Sequence, residues 1–440
     1  MLILKNATIL QFHPAEVRPG VDIAVEGCRI REVGPGIAAK YPEGRIMDLS
    51  GMFVSPGIVC SHNHFYSALA RGILADIPPA DNFVHQLQNL WWRLDRALDE
   101  ESVWYSGLVG ALEAVKAGVT AVVDHHASPA FITGSLSTLK RAFAETGLRG
   151  VLSYEVTDRN GEAGMEEGVR ENADFLRSLA ADRETPQTHL VEGAVGGHAP
   201  FTLNDRALGL MAEVVAESGR GVHVHVAEDA YDPAFSRHVS QSSPLARLRD
   251  ARLLNDKALV VHGVFLSDED LEILGEYDGF LLHNARSNMN NHVGYRRGLG
   301  DIRNVALGTD GIGSDMYAET QAAFFKNRDA GAGLWPGDFL RFLQNGNVIL
   351  ERYFGCRFGC VAPGFAADLT VTDYAPPTPL SADNVAGHFA FGMSARDVHT
   401  VIVNGRVVYE NRRFPKDVSA VYAQAAEVAG RMWKRMNGIW

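Results

Sequence analysis

Val222-His223-Val224-His225-Val226-Ala227-Glu228 alternates valine with histidine and ends on a carboxylate. Branched residues at this density favour a strand. Other short apolar runs in the middle of the chain also lead into polar, chemistry-bearing residues. Phe53–Cys60 runs into Ser61-His62-Asn63-His64, and Asn304–Leu307 into Gly308-Thr309-Asp310-Gly311. Ala258–Val261 leads to His262, and Gly279–Leu282 to His283. Val119–Asp124, Gly150–Val156, Leu190–Val195 and Gly221–Val226 bring the candidate strands to eight. Stretches of helical character lie between them, among them Glu101–Ala117, Ser135–Glu145, Gly164–Ala181 and Asn204–Glu217. This alternation predicts an α/β chain built on a TIM-like (β/α)8 barrel. A doubly wound open sheet is the alternative, but no G-x-G-x-x-G or P-loop follows the first strand to support a nucleotide-binding version of it.

The two ends have a different texture. Leu2–Leu10, Val21–Val25 and Arg29–Val33 are short strands separated by glycine and proline turns. Asp368–Thr372, Val398–Val403 and Arg406–Glu410 resemble them, with Asn404-Gly405 as a strong hairpin signal. The ends are therefore expected to meet in one small β-sandwich domain. The expected division is 1–52 and 361–440 for that domain and 53–360 for the barrel, with a terminal helix over Val418–Met436.

A chain of 440 residues has room for such a barrel plus a satellite. With 46% hydrophobic and 21% charged residues it is ordinary globular protein, which excludes disorder, collagen and coiled coil. The net charge is −12 and lysines number only 8, so neither nucleic acid nor an anionic membrane is an expected partner. No apolar run reaches the roughly 18 residues of a membrane span. MLILKNATIL lacks the apolar core and cleavage site of a signal peptide. Cys28, Cys60, Cys356 and Cys360 make no disulfide framework. A cytoplasmic protein with reduced thiols is expected.

In an extended segment residues i and i+2 point the same way, so His62 and His64 can share one metal. In a barrel the C-terminal strand ends open on one face, where catalytic residues collect. Taken singly, His262 reads as a packed histidine and Asp310 as a loop or capping acid. The conjunction at the ends of strands one, five, six and eight points to a site instead. His223 is read as structural, alternating away from His225.

The pattern resembles the amidohydrolase superfamily, in its mononuclear deaminase and chlorohydrolase-like branch. The matching stretches include Ser55-Pro56-Gly57, Leu69-Ala70-Arg71-Gly72, His198-Ala199-Pro200-Phe201-Thr202, His225-Val226-Ala227-Glu228, Val261-His262-Gly263, Arg286-Ser287-Asn288 and Gly308-Thr309-Asp310-Gly311. Pro363-Gly364-Phe365-Ala366-Ala367-Asp368-Leu369 and Val403-Asn404-Gly405-Arg406 match as well. More narrowly, Cys60–Ser67 and Val123–Pro129 are similar to the SsnA group of aminohydrolases, tied to selenium-dependent hydroxylase systems and purine breakdown. Asn63, Ala285 and Asp229 stand where the family pattern usually has threonine, proline and threonine.

The resemblance implies one divalent metal per chain, Zn²⁺ first and Fe²⁺ second, held by His62, His64, His225 and Asp310. Such an ion lowers the pKa of water towards neutrality. Asp310 is then expected also to accept the water's proton. Glu228 is the implied proton shuttle, and His262 the group that hydrogen-bonds the attacking and developing oxygens. No lysine ends strand four to bridge a second ion; Glu192 is the residue that would overturn a single-metal site. His198, His125 and His126 are expected to contact substrate, with Arg71, Asp158 and Arg159 as further candidates. Asn288 is read as a donor fixing loops near Asp310. Trp91 and Trp92 are read as core, with a pocket cap or dimer interface as alternatives. The implied activity is deamination of a purine-like heterocycle by a homodimer or larger homo-oligomer. Ring opening of a cyclic amide, or dechlorination, is the alternative on the same site. An inactive binding scaffold is the alternative of another class.

Overall fold

A computed structural model of the chain describes residues 1–439. Five strands come first: β1 Leu2–Gln11, β2 Glu16–Glu26, β3 Arg29–Gly34, β4 Arg45–Asp48 and β5 Phe53–Pro56. Next are β6 Ile58–Asn63, β7 Val119–His126, β8 Arg149–Tyr154 and β9 Val191–Gly193, which form a four-stranded parallel sheet in chain order. A five-stranded parallel sheet follows: β10 Val195–Gly197, β11 Val222–Val226, β12 Leu259–His262, β13 Phe280–His283 and β14 Val305–Leu307. β15 Leu369–Thr372, β16 Val398–Val403 and β17 Arg406–Tyr409 close the chain's strand inventory among the described residues.

The fold is mixed α/β, of the barrel type. Main-chain hydrogen bonds connect the two parallel sheets at both margins. The fourth expected strand appears as β9 and β10, and Ala194 between them donates to Leu152 O at 3.0 Å while Val195 donates to Gly221 O at 3.0 Å. One extended segment thus serves both sheets. At the other margin Thr309 N and Asp310 N donate to His62 O at 2.9 and 3.1 Å. Beneath the site a buried layer packs Val59, Ala121, Val123, Val151, Ala194, Leu259, Val261, Leu282 and Ala306. β11 adds nothing to this layer. Its Val222, Val224 and Val226 belong to the core shared with the surrounding helices, which leaves His223 and His225 for the other face.

The ends do meet. β5, β1, β2 and β3 share an eight-stranded sheet with β15, β16 and β17, and β4 pairs with β1. The expected first strand, Phe53–Cys60, is divided. Phe53–Pro56 pairs antiparallel with β15, so the end sheet reaches past the expected boundary at residue 52. Gly57 separates the halves, because a Cβ there would lie 2.2 Å from Thr120 Oγ1. The Asn404-Gly405 turn has φ of 51° and 73°, the doubly left-handed geometry of a tight hairpin. The terminal helix Ser419–Asn437 packs on the helix Glu100–Lys116 instead of on the end sheet, and Trp433 Nε1 donates to Leu69 O at 2.9 Å.

One buried ion pair ties the end sheet to β8. Asp368 accepts from Arg149 Nε and Nη2 at 2.7 and 3.0 Å and from Asn404 N at 2.7 Å. Removing one partner of such a pair leaves a buried charge without compensation. Asp368→Ala is therefore expected to cost roughly 3–5 kcal/mol of stability, read from the shift of the chemical unfolding midpoint.

Candidate active site

His62, His64, His225 and His262 bring their Nε2 atoms towards Asp310 above the buried apolar layer. His64 Nε2 lies 3.0 Å from Asp310 Oδ1 and 3.2 Å from His225 Nε2. His62 Nε2 lies 3.5 Å from Asp310 Oδ1, and His262 Nε2 3.8 Å from Oδ2. The donor atoms fall into two overlapping clusters that share His225: His62, His225, His262 and Asp310 form one, and His64, His125 and His225 the other.

Each ring is aimed by its other nitrogen. His64 Nδ1 and His225 Nδ1 rest on the main-chain oxygens of His125 and His198 at 2.6 and 2.8 Å. His262 Nδ1 lies 2.8 Å from Asn288 Oδ1, and His62 Nδ1 lies 2.9 Å from His223 Nε2. Such partners set the tautomer and orientation of a ligating imidazole. They leave Nε2 of His62 and His262 buried with no hydrogen-bond partner. Buried polar atoms are normally paired, and these two are nitrogen donors beside a carboxylate.

The electrostatics favour a cation. Burial pushes His62 down to about 3 and His225 well below the usual range, so their lone pairs are free. Burial would lower His64 too, but its hydrogen bond to Asp310 overrides this and lifts it to about 9. Burial would raise Asp310, yet His62 and His64 hold it well below the carboxylate range. Two neutral imidazoles, one ionised carboxylate and His64, which must give up its proton to an ion, are a donor set for a borderline divalent metal, and the residues present fit such an ion.

Glu228 follows the positive-φ residue Ala227, φ 51°. Asp232 Oδ2 holds that turn by accepting from Ala227 N at 2.7 Å. His262 and Asp310 are themselves left-handed, at φ 66° and 53°. Glu228 Oε2 lies 3.4 Å from His262 Nε2, and Oε1 accepts from Asn291 Nδ2 at 3.1 Å. Burial raises the Glu228 pKa, with His262 opposing and Asp310 reinforcing the shift. Ser287 Oγ donates to Asp310 Oδ2 at 2.5 Å.

His64, His225, His262, Glu228 and Asp310 border one cavity. Its wall includes Trp91, Trp92, Phe83 and Leu87, and also Asp95, Glu155 and His198. His198 Nδ1 lies 2.6 Å from Thr202 Oγ1, and burial pushes this imidazole down to about 4. Arg159 stands behind the wall, bonded to Asp95, 3.5 Å from Glu155 Oε1 and over the Trp92 ring. His125 sits below the ligand rings with Nε2 on His223 O at 3.1 Å and Nδ1 3.3 Å from Glu155. His126, its strand neighbour, points the other way, to Ser128 Oγ at 2.9 Å.

Neither strand-two histidine lines the cavity, which corrects the expectation that both contact substrate; strand alternation and these internal bonds withdraw them. Asp158 is also outside the wall. Arg71 pairs with Glu113 at 3.0 Å in a neighbouring cleft that shares His64, Trp91 and Gly311. Glu192 is far from bridging metals: Arg183, Arg220 and His189 hold it, at 2.8, 2.8 and 3.1 Å, in a separate cavity. His223 shares the inward face of His225, since i and i+2 in a strand point alike; its reading as alternating away is corrected. Asn288 acts on His262, not on Asp310. Asn63 accounts for one departure from the family pattern: its Nδ2 donates to Thr309 Oγ1 and Asp310 O at 2.7 and 2.9 Å, stapling the two margins. Ala285 opens the helix Ala285–Asn290, a first-turn position where proline is also accommodated.

Glu155, Asp95 and Asn291 did not emerge from the sequence. Glu155 sits within the predicted third strand and could have been found by its position near a strand end. Asp95 and Asn291 come from insertions between strands, where no periodicity marks them.

Residues 53–408 match the amidohydrolase family, and the chain belongs to that family of hydrolases. It is 28% identical over 418 residues to a 5-methylthioadenosine/S-adenosylhomocysteine deaminase of Thermococcus sibiricus, covering 92% of this chain and 93% of that one. An adenosine deaminase from Xanthomonas campestris, crystallised with zinc, shares the fold at a TM-score of 0.85 and 22% identity, over 98% of each chain. Atrazine chlorohydrolase TrzN from Arthrobacter aurescens, complexed with zinc, does so at 0.82 and 20%, over 98% of this chain and 100% of that one. No helix among the described residues is long and apolar enough to cross a membrane.

Proposed function

We propose that this chain is a metal-dependent aminohydrolase that deaminates a purine-like heterocycle. The observation that carries the reading is one constellation: His64, His225 and Asp310 on one cavity wall with Glu228 and His262 beside them, and His62 buried directly behind. His62, His64, His225 and Asp310 would hold one ion, zinc before iron. When bound, the ion supplies a water acidic enough to serve as nucleophile near neutral pH. The chain's own residues do the rest. Asp310 orients that water and accepts its proton. His262, with Nδ1 turned to Asn288, presents Nε2 to the attacking oxygen and steadies it as the carbon becomes tetrahedral. Glu228, raised by burial, delivers a proton to the ring nitrogen; the proton taken from water passes to the amine, which leaves as ammonia, and the second proton of that water, released as the carbonyl forms, restores Glu228.

The acceptor-rich wall also bears on the substrate. Asp95, Glu155, Glu228 and Asp310 line the cavity, and neither lysine nor arginine does so among the described residues. The phosphate of a nucleotide would meet like charge there, whereas a free base or nucleoside brings no negative charge to be repelled. His198, neutral and mobile between donor and acceptor roles, would read one edge of the ring. His198→Ala is expected to lower kcat/KM by roughly 10-fold or more, the scale of one lost hydrogen bond to a buried group, with metal content unchanged on elemental analysis.

The architecture behind this reading is a closed barrel from about residue 57 to 360, with the two ends folded as a sandwich. The bonds at His62 O and around Ala194 support closure. The two ends are joined by one eight-stranded sheet with Leu4, Ile23, Val54, Leu369 and Ile402 in a single buried cluster. A homo-oligomer in the cytoplasm is proposed, with light scattering as its check.

The test is an ammonia-release screen of zinc-loaded protein against free purines, nucleosides, nucleotides, cyclic amides and chlorinated triazines. Ammonia from bases or nucleosides, and none from nucleotides, is the expected result. Chloride release or ring opening without ammonia would replace deamination with the alternative chemistry. A zinc-loaded protein silent on the whole panel would favour a binding scaffold.

A further inference from the structure

The four rings that bring Nε2 towards Asp310 do not rest on equivalent partners. His64 and His225 lean on main-chain oxygens, which only accept. His262 leans on a side-chain amide oxygen. His62 alone leans on another imidazole, His223, which can either accept or donate. His223 Nδ1 lies 3.2 Å from Ser153 Oγ, and Ser153 Oγ donates to Asp124 O at 3.3 Å. His62, His223 and Ser153 are all fully buried, so the chain has no exchange with bulk water along its length.

Resting on the reading of this cluster as a metal centre, we infer that His223 is a positioning residue that holds His62 in its metal-binding tautomer through a one-way hydrogen-bond chain. The proton bookkeeping follows from the atoms. An imidazole that ligates through Nε2 keeps its single proton on Nδ1, so His62 must donate to His223 Nε2. His223 Nε2 must then be bare, and its proton must sit on Nδ1, facing Ser153 Oγ. Ser153 receives that bond and passes its own proton to the Asp124 carbonyl, which ends the chain because a carbonyl cannot donate. Every donor meets one acceptor, with both rings neutral.

The same three side chains satisfy a second state. His223 can donate from Nε2 to His62 Nδ1 while Ser153 donates to His223 Nδ1. His62 then carries its proton on Nε2, turned towards Asp310, where it blocks ligation. The two directions exclude each other, and an ion at Nε2 selects the first. His62 is thus the one ligand whose availability depends on a reversible partner, and metal affinity is coupled to the direction of the chain.

The experiment uses full-length protein. Zinc affinity is measured by chelator competition in wild type, His223→Phe and His223→Gln. Loss of the partner is expected to weaken binding by about 10–100-fold, the range for groups that orient a ligating histidine. Phenylalanine fills the space but cannot accept, so it should show that loss. Glutamine keeps an acceptor and should recover most of it. Nitrogen-15 spectra of the wild-type histidines give a second readout: His223 protonated on Nδ1 in the zinc-loaded protein, with the assignment shifting towards Nε2 when zinc is removed. Equal zinc affinity in wild type and a folded His223→Phe, or an Nε2-protonated His223 in the zinc-loaded protein, would overturn the inference while leaving the metal centre intact. A wild type that binds no zinc would remove both. If His223→Phe does not fold, the wild-type spectra alone decide.

Discussion

Asp310→Ala is expected to strip the protein of metal and abolish measurable turnover. Asp310 is the carboxylate on which His62 and His64 converge, at 3.5 and 3.0 Å from Oδ1. Without it the remaining donors are neutral imidazoles, and the site loses the charge that favours a cation. Alanine also removes the acceptor of Ser287. Elemental analysis after dialysis should find the wild type with one divalent ion per chain and the variant with none. A variant that keeps a full complement of metal would place the ion elsewhere. Two ions per wild-type chain would require a second site, and Glu192 would not supply its bridge, since three basic side chains already hold it.

Glu228→Gln should keep metal and fold yet lose turnover by roughly 10²-fold or more, the scale of a lost proton-transfer group. The amide preserves the shape and can still meet Asn291, which donates to Oε1 at 3.1 Å, after a flip of either amide. It cannot cycle a proton. Single-turnover ammonia release with metal content measured on the same sample separates this from a ligand defect. Wild-type turnover in the variant would shift proton transfer to His262, 3.4 Å away.

Much of the fold was legible because barrel strands announce themselves twice. They are short apolar runs, and the site-facing ones end in residues that apolar cores do not tolerate without reason. Val222 to Glu228 carries both signals. The Asn404-Gly405 hairpin was equally plain, since few residue pairs adopt two consecutive positive φ values. What the sequence blurred was where one run serves two sheets. Phe53 to Cys60 reads as one strand although Pro56-Gly57 interrupts it, and the close approach of Thr120 to Gly57 shows where the two halves part. The ligand-type residues were readable from strand ends and family motifs. The wall of the cavity was legible only in part, through His198 and the alternative reading of Trp91 and Trp92 as a pocket cap; Asp95 and Asn291 arrive from inter-strand insertions, and their place depends on tertiary packing. His223 was misplaced by counting, not by chemistry. A period of two puts it beside His225, and the burial of both against one cluster of rings follows from that.

The left-handed backbone at Ala227, His262 and Asp310 bears on how this protein can change over generations. Non-glycine residues in this conformation carry on the order of 1–3 kcal/mol of strain each, a noticeable fraction of the roughly 5–15 kcal/mol by which domains hold together. Glycine would relax any of the three, and at Ala227 it would delete nothing but a methyl group. Selection for heat resistance alone would therefore find its easiest gains at the ends of strands five, six and eight. Those are the positions that aim Glu228, His262 and Asp310, so robustness and turnover should pull the same residues in opposite directions. At His262 and Asp310, where glycine would delete the working side chain, lineages that stabilise this scaffold without losing its chemistry must draw their gains from elsewhere, such as the buried join between Arg149 and Asp368 or the seam under the terminal helix.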